Sequence, residues 1–176
     1  MRIAITPLIA VLIWIDEPPY GYQLALALYT IASVTDYIDG YMARRLKVES
    51  PLGEMLDPIA DKLLVAAVLL ALANVTTSGW LFLVPALIIL IREFMISGLR
   101  EFLAKQNLSA PVTRLAKWKT TAQILALGFL MGAPGFPGFP FAHEIGITLL
   151  WLAAILTVQT GSGYLISAVK HVTNSG

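Results

Sequence analysis

The sequence predicts an all-α fold, a polytopic membrane protein built as a bundle of six transmembrane helices with both termini in the cytoplasm. Of the 176 residues, 57% are hydrophobic and only 13% are charged, whereas a soluble domain usually carries about a quarter charged residues. A helix that crosses a bilayer needs roughly 20 mostly apolar residues, and the chain has room for several. The absence of cysteine excludes disulfides and thiolate metal sites.

Six apolar segments are expected to form the membrane helices, within one membrane domain covering residues 1–176. The first is short, and the second becomes polar in its second half. Three connections carry the turn-forming residues Pro, Gly and Ser, and His143 is expected to stand alone in the last of them, without a role. The predicted helices cover residues 3–15, 20–46, 56–74, 80–103, 117–131 and 145–169.

The distribution of cations predicts the orientation of these helices. All twelve Lys and Arg lie at the start of the chain, between residues 44 and 62, between residues 92 and 119, or at Lys170. The connections after the first, third and fifth helices contain none of them. Because cytoplasmic ends of membrane helices are enriched in Lys and Arg, the pattern predicts that both termini and the charged residues face the cytoplasm.

Four aspartates near one end of the second and third predicted helices indicate a metal site. Asp36 and Asp39 are spaced i and i+3, and Asp57 and Asp61 are spaced i and i+4, so each pair shares a helix face. An ionised carboxylate in a membrane helix costs about 2.5–3.5 kcal/mol at the bilayer centre, and four of them repel one another. Two hard divalent cations would neutralise the group and would clamp a phosphoryl group between them.

Small residues and one arginine accompany these aspartates and suggest a pocket for a nucleotide diphosphate. Gly40, Ala43 and Gly53 leave space where larger side chains would block a ligand. Arg44 follows Gly40 by four residues on the same helix face and can pair with a phosphate in a forked geometry.

Each of these residues also has an ordinary structural interpretation. An isolated aspartate near a helix end is commonly a cap or a solvated group. Asp57 before Pro58 would by itself be a good helix start, and a glycine in a membrane helix is more often a packing contact than a ligand contact. The complete set at this spacing nevertheless favours a functional site.

Residues 36–61 resemble the signature of the CDP-alcohol phosphotransferase family, D-x2-D-G-x2-A-R-x8-G-x3-D-x3-D, and match every fixed position. The resemblance implies six membrane helices, two divalent cations (Mg²⁺ or Mn²⁺), and attack by an alcohol on a CDP-linked phosphorus with release of CMP. Asp61 would also be the general base. The implied metal ligands are Asp36, Asp39, Asp57 and Asp61. The implied CDP-binding residues are Gly40, Ala43, Arg44 and Gly53.

A second stretch, residues 91–102 with residues 115–123, resembles the family's bacterial phosphatidylglycerophosphate synthases, which join CDP-diacylglycerol to glycerol 3-phosphate. Ala116 departs from the glycine usual there, and an amphipathic segment before residue 1 is expected to be missing. Glycerol 3-phosphate is a dianion, which a cluster of cations suits. The residues implied to bind it are Arg92, Arg100, Lys117 and Lys119.

Other interpretations of these cations stay open. Arg92 could form an internal ion pair with Glu93. Arg100, Lys117 and Lys119 could instead anchor lipid headgroups at the cytoplasmic ends of their helices. The same chemistry could also use phosphatidylglycerol, inositol phosphate or serine as acceptor. A cation transporter that uses the acids as an ion path is the alternative from another class.

The resemblance also implies a location and partners. We expect a multi-pass protein of the bacterial inner membrane with its active site facing the cytoplasm. Its partners would be CDP-diacylglycerol, glycerol 3-phosphate, membrane lipid and a second copy in a homodimer, and no nucleic acid.

Overall fold

The structure is a computed structural model that describes residues 2–15, 19–46, 51–105 and 114–174. For some residues within these ranges the structure describes the helical backbone but not the side chain. They are the side chains of residues 36, 37, 39–46, 51–55, 57, 104, 105, 114, 116 and 163–174.

The regular secondary structure of the described ranges consists of six α-helices, so the all-α prediction is confirmed. Each predicted apolar segment corresponds to one helix. They are α1 (Arg2–Trp14), α2 (Tyr20–Leu46), α3 (Pro51–Val75), α4 (Trp80–Lys105), α5 (Arg114–Gly135) and α6 (Ala142–Asn174).

Helix α3 begins at Pro51, five residues before the predicted start at residue 56. Proline suits the first helical position because its missing N–H would have no partner in the helix there. Pro58 therefore lies inside the helix, and Asp57 is not a helix start. The capping interpretation of Asp57 is wrong for this reason.

The connection between α5 and α6 is shorter than the predicted residues 132–144. Helix α5 continues to Gly135 and α6 already begins at Ala142. Residues 136–141 between them are exposed, and backbone bonds continue through this stretch, from Phe139 N to Phe136 O at 3.1 Å and from Ala142 N to Phe139 O at 3.2 Å. His143 belongs to α6 and hydrogen-bonds the Ser78 hydroxyl at 2.5 Å, so the expectation that it stands alone is wrong.

The chain divides into two compact units, which are described separately. The first comprises Met1–Gly79 and Leu127–Gly146, and the second comprises Trp80–Ala126 and Ile147–Gly176.

In the first unit, α1 packs against both α2 and α3. Its buried face contains Thr6, Ile9 and Ile13, which follow helical spacing. Close approach to α2 depends on Gly21, where a Cβ atom would lie 3.0 Å from the carbonyl oxygen of Leu12. This packing brings the two aspartate-bearing helices into contact with the same short helix.

In the second unit, α4 and α6 pack together. The Trp151 indole N–H of α6 donates a hydrogen bond to the carbonyl oxygen of Leu81 on α4 at 2.9 Å. The buried side of α4 includes Phe82, Ile89 and Ile96. Arg92 lies on this buried side, which places a charged group in an otherwise apolar helix face.

Three helices are long and apolar enough to cross a membrane, judged by length and composition over the described residues. The candidate spans are Pro58–Val75, Trp80–Leu103 and Ala142–Ser162, and Arg2–Trp14 is a shorter apolar helix. Large apolar side chains on their outer faces, such as Leu70 and Ile155, stay exposed. Such faces suit a lipid environment better than water.

Candidate catalytic site

The four predicted metal ligands lie in helix interiors. Asp36 and Asp39 are on α2, and Asp57 and Asp61 are on α3. Since the backbone is helical through both stretches, each pair shares one helix face, as the spacing predicted. The side chains of Asp36, Asp39 and Asp57 lie outside the described residues, so the convergence of all four carboxylates stays a prediction.

Asp61 has a described environment, formed by side chains of α1 and α2. Its Oδ1 accepts a hydrogen bond from Arg2 Nη1 at 2.5 Å, and Tyr29 on α2 lies within electrostatic range of the carboxylate. The Asp61 side chain is 66% exposed, whereas the Arg2 side chain is only 11% exposed. The arginine thus holds the carboxylate by a charge-assisted bond and leaves much of it accessible to a ligand.

The predicted CDP-binding residues lie on the same two helices. Gly40, Ala43 and Arg44 follow the aspartates on α2, and Gly53 is in the first turn of α3. Gly40 and Arg44 are one turn apart, so they share a helix face. The surroundings of these four residues lie outside the described side chains, and their role stays a prediction.

The predicted acceptor-binding cations belong to α4 and α5 in the second unit. Arg92 and Lys119 are buried, at 8% and 7% exposure, while Arg100 and Lys117 are exposed. Glu93 joins the two buried cations: its Oε1 accepts from Arg92 Nη1 at 3.2 Å and from Lys119 Nζ. The internal ion pair considered for Arg92 and Glu93 is therefore present, and it also includes Lys119.

Helix α6 completes the surroundings of Arg92. Arg92 Nη2 donates to the Thr160 hydroxyl at 2.9 Å, and this hydroxyl donates to the carbonyl oxygen of Leu156 at 2.8 Å. At Gly161 a Cβ atom would lie 3.1 Å from Arg92 Nε. Arg92 thus lies directly against the backbone of α6.

Two contacts were missed by reasoning from sequence: the pairing of Arg2 with Asp61, and the bridge from Glu93 to Lys119. Their partners are 59 and 26 residues apart, so local spacing carries no signal for them. A weak signal existed for Glu93, because an acid beside Arg92 in an apolar run requires a partner. No comparable signal exists for Arg2.

The helical fold contains three candidate membrane spans, and helices α2 and α3 carry four aspartates, as a membrane protein with acidic helices would. A family model described as CDP-alcohol phosphatidyltransferase matches residues 1–159. The chain belongs to this family, and the resemblance predicted from the motif is confirmed.

Curated relatives match over nearly the whole chain. The CDP-diacylglycerol–glycerol-3-phosphate 3-phosphatidyltransferase of Rickettsia bellii is 41% identical over 170 residues, 97% of this chain and 92% of the relative. The protein of the same name from Pseudomonas fluorescens is 38% identical over 181 residues, 100% of this chain and 90% of the relative. A cardiolipin synthase (CMP-forming) from Oryza sativa is 35% identical, over 89% of this chain and 51% of the relative.

Enzymes of this family generally use divalent metal ions, and the residues of this chain fit such ions. Carboxylate oxygens are the ligands that hard divalent cations prefer, and α2 and α3 carry four of these groups in two face-sharing pairs. The Asp61 side chain is 66% exposed, so its carboxylate is accessible to such an ion.

Proposed function

We propose that the chain transfers the phosphatidyl group of CDP-diacylglycerol to sn-glycerol 3-phosphate, forming phosphatidylglycerol phosphate and CMP. The observation that carries this proposal is the similarity, over 97% of the chain, to a transferase named for this reaction. The matched family signature at residues 36–61 and the two buried cations, Arg92 and Lys119, support it independently.

In this proposal Asp61 is the general base. Its exposed carboxylate, oriented by Arg2, takes the proton from the terminal hydroxyl of glycerol 3-phosphate. The resulting oxygen attacks the lipid-linked phosphorus, and the bond to the leaving CMP oxygen breaks. Gly40, Ala43, Arg44 and Gly53 hold the CDP moiety.

Asp36, Asp39, Asp57 and Asp61 are the proposed ligands of two divalent cations, Mg²⁺ or Mn²⁺. When bound, these ions would neutralise charge on the diphosphate and on the departing phosphate. Their binding also explains why four acids occur together on two helices, since unneutralised carboxylates would repel one another.

Arg92, Arg100, Lys117 and Lys119 are proposed to bind the phosphate of the acceptor. Such a cluster of cations suits a dianionic acceptor, because charge-assisted hydrogen bonds to phosphate are strong and directional. Serine is zwitterionic and does not require four cations. Phosphatidylglycerol and inositol phosphate stay as alternative acceptors.

We further propose that the chain forms one membrane domain with six membrane spans and with both termini inside. This domain lies in the bacterial inner membrane, and its active site faces the cytoplasm. The chain forms a homodimer. The three candidate spans and the restriction of Lys and Arg to the predicted inner ends of the helices support the orientation. The homodimer follows from the family resemblance.

Substitution of the proposed base tests this mechanism. Asp61→Asn keeps an oxygen that can accept the Arg2 hydrogen bond but removes the basic carboxylate. We expect product formation from CDP-diacylglycerol and radiolabelled glycerol 3-phosphate to fall by a factor on the order of 10²–10⁴, with CDP-lipid binding largely preserved. Glu144→Gln, which changes an exposed acid of α6, is the matched control. An Asp61→Asn enzyme that turns over normally would remove Asp61 as the base.

The competing transporter hypothesis makes a different prediction. Purified protein in detergent should release CMP from CDP-diacylglycerol when glycerol 3-phosphate and a divalent cation are present, and chelation with EDTA should stop this release. A pure cation transporter would release no CMP under any of these conditions.

A further inference from the structure

The buried cations of the second unit require a counter-charge. The side chains of Arg92 and Lys119 are 10% and 9% exposed. Two unpaired cations at this depth would repel each other and lose their hydration. Glu93 is the described acid that contacts both of them, through a single carboxylate oxygen. Its carboxylate thus permits the two cations to lie close together in the folded protein.

Helix α6 restricts Arg92 from a second direction. The Thr160 hydroxyl accepts from Arg92 Nη2, and a Cβ at Gly161 would approach Arg92 Nε and Cγ to 3.1 and 3.2 Å. Such approaches are tighter than ordinary van der Waals contact, so a side chain at this position requires Arg92 to shift by a few tenths of an ångström. Arg92 is therefore held by Glu93 on its own helix and by Thr160 on α6, and the lack of a side chain at Gly161 leaves room for it.

Hydrogen-bonding capacity is left over at Arg92 itself and at two polar side chains of the neighbouring helices α5 and α6. Arg92 Nε, Gln123 Oε1 and Thr157 Oγ1 are buried and have no hydrogen-bond partner among the residues whose side chains are described. Gln123 follows Lys119 by one turn of α5, and Thr157 precedes Gly161 by one turn of α6. A buried donor without a partner destabilises a fold, so an ion pair that served stability alone would be expected to satisfy Arg92 Nε as well. Arg92 Nε therefore favours a cluster that has a donor in reserve for a bound anion.

We propose that Glu93 is a positioning residue of the acceptor site. Its carboxylate holds Arg92 and Lys119 side by side, and Gly161 lets Arg92 lie against α6, so that both cations are oriented before the acceptor phosphate arrives. The inference rests on the proposed function, in which these two cations bind glycerol 3-phosphate. It adds Glu93 and Gly161, neither of which contacts the substrate in this account.

The test is Glu93→Gln, which keeps the size of the side chain and removes its charge. The KM for glycerol 3-phosphate should rise at least tenfold, while the KM for CDP-diacylglycerol stays within twofold of wild type. Stabilisation of the purified protein by glycerol 3-phosphate, measured as a shift in Tm without CDP-diacylglycerol, should be lost. Glu93→Asp keeps the charge on a shorter side chain and should restore part of both effects. Glu101→Gln, an exposed acid on the same helix, should behave as wild type.

Gly161→Ala tests the same role without removing any charge, and it decides the question if Glu93→Gln does not fold. Its added methyl group should displace Arg92 and raise the KM for glycerol 3-phosphate by several-fold. Gly98→Ala on α4 is the control, since a Cβ there meets nothing within 4 Å.

The outcomes separate this inference from the proposed function. If wild type is neither active with glycerol 3-phosphate nor stabilised by it, the proposed function fails and the inference fails with it. If wild type binds and uses glycerol 3-phosphate, and folded Glu93→Gln or Gly161→Ala proteins keep its KM, the positioning role alone is wrong.

Discussion

Asp61 and Glu93 each accept a hydrogen bond from an arginine, but their surroundings differ. The Asp61 side chain is 66% exposed beside Arg2, whereas the Glu93 side chain is 20% exposed and bridges two cations. An accessible carboxylate can meet a substrate hydroxyl. A carboxylate shared between two buried cations is better suited to holding them in place. The two acids therefore have different roles although both form ion pairs.

The Arg2–Asp61 contact leads to a prediction at the residue scale. Arg2→Ala removes the group that orients the proposed base, so we expect kcat to fall about tenfold, a fraction of the 10²–10⁴ that a positioned base contributes. The KM values for both substrates should change little. Ile3→Ala, at the exposed neighbouring position, is the control. Unchanged kcat in a folded Arg2→Ala protein would show that Arg2 does not position the base.

At the residue scale, sequence reasoning predicted the acids but not their partners. The spacing of Asp36, Asp39, Asp57 and Asp61 is local and follows directly from helical geometry. The ion pairs of Arg2 with Asp61 and of Lys119 with Glu93 depend on how distant helices pack. Local spacing along the chain carries no signal for contacts between helices so far apart in sequence.

At the element scale, hydropathy located all six helices but misjudged several ends. Hydropathy predicts the apolar middle of α3. Its first turn, which begins at Pro51, is too polar to be predicted as part of a membrane helix. The prediction ends α5 at residue 131 and begins α6 at residue 145, because Pro and Gly usually break helices, whereas the structure continues α5 to Gly135 and begins α6 at Ala142. Backbone bonds at the end of α5, including Phe136 N to Gly132 O at 2.9 Å, show that the helix tolerates Pro134 in its last turn.

Close packing of α6 on α5 gives a prediction at the element scale. At Gly146 a Cβ atom would lie 2.7 Å from Leu130 Cγ and 3.1 Å from the Leu130 backbone nitrogen. Gly146→Ala should therefore destabilise the fold by about 1–3 kcal/mol, the usual cost of overpacking, and lower the Tm measured in detergent.

The matched control is Gly138→Ala, in the exposed connection, where a Cβ meets nothing within 4 Å. Equal Tm values for Gly146→Ala and wild type would contradict the described packing of α6 against Leu130.

At the scale of the whole molecule, composition was sufficient to predict an all-α membrane protein, and the motif was sufficient to predict the family. The predicted count of six spans and their orientation stay predictions, because length and composition identify three candidate spans among the described residues. Helices α2 and α5 carry polar residues for the proposed chemistry, which lowers their hydropathy. The polar residues of the proposed site thus lower the hydropathy by which a membrane-spanning helix is identified.

The absence of cysteine makes the orientation directly testable. Single-cysteine variants Thr77→Cys and Gly138→Cys, both at exposed positions in connections, should react with a membrane-impermeant maleimide in intact cells. Glu101→Cys, at the opposite end of α4 from Trp80, should react only after permeabilisation. Labelling of Glu101→Cys in intact cells with protection of the other two would reverse the proposed topology.

Acceptor competition tests the central claim most directly. Purified wild-type protein would receive CDP-diacylglycerol labelled in its phosphatidyl group, with equal concentrations of glycerol 3-phosphate, serine, inositol phosphate and phosphatidylglycerol, and the lipid products would be separated and counted. We predict that phosphatidylglycerol phosphate carries nearly all of the label and that CMP forms in equal amount. Label found mainly in the product of another acceptor, or no CMP released with any of them, would contradict the account.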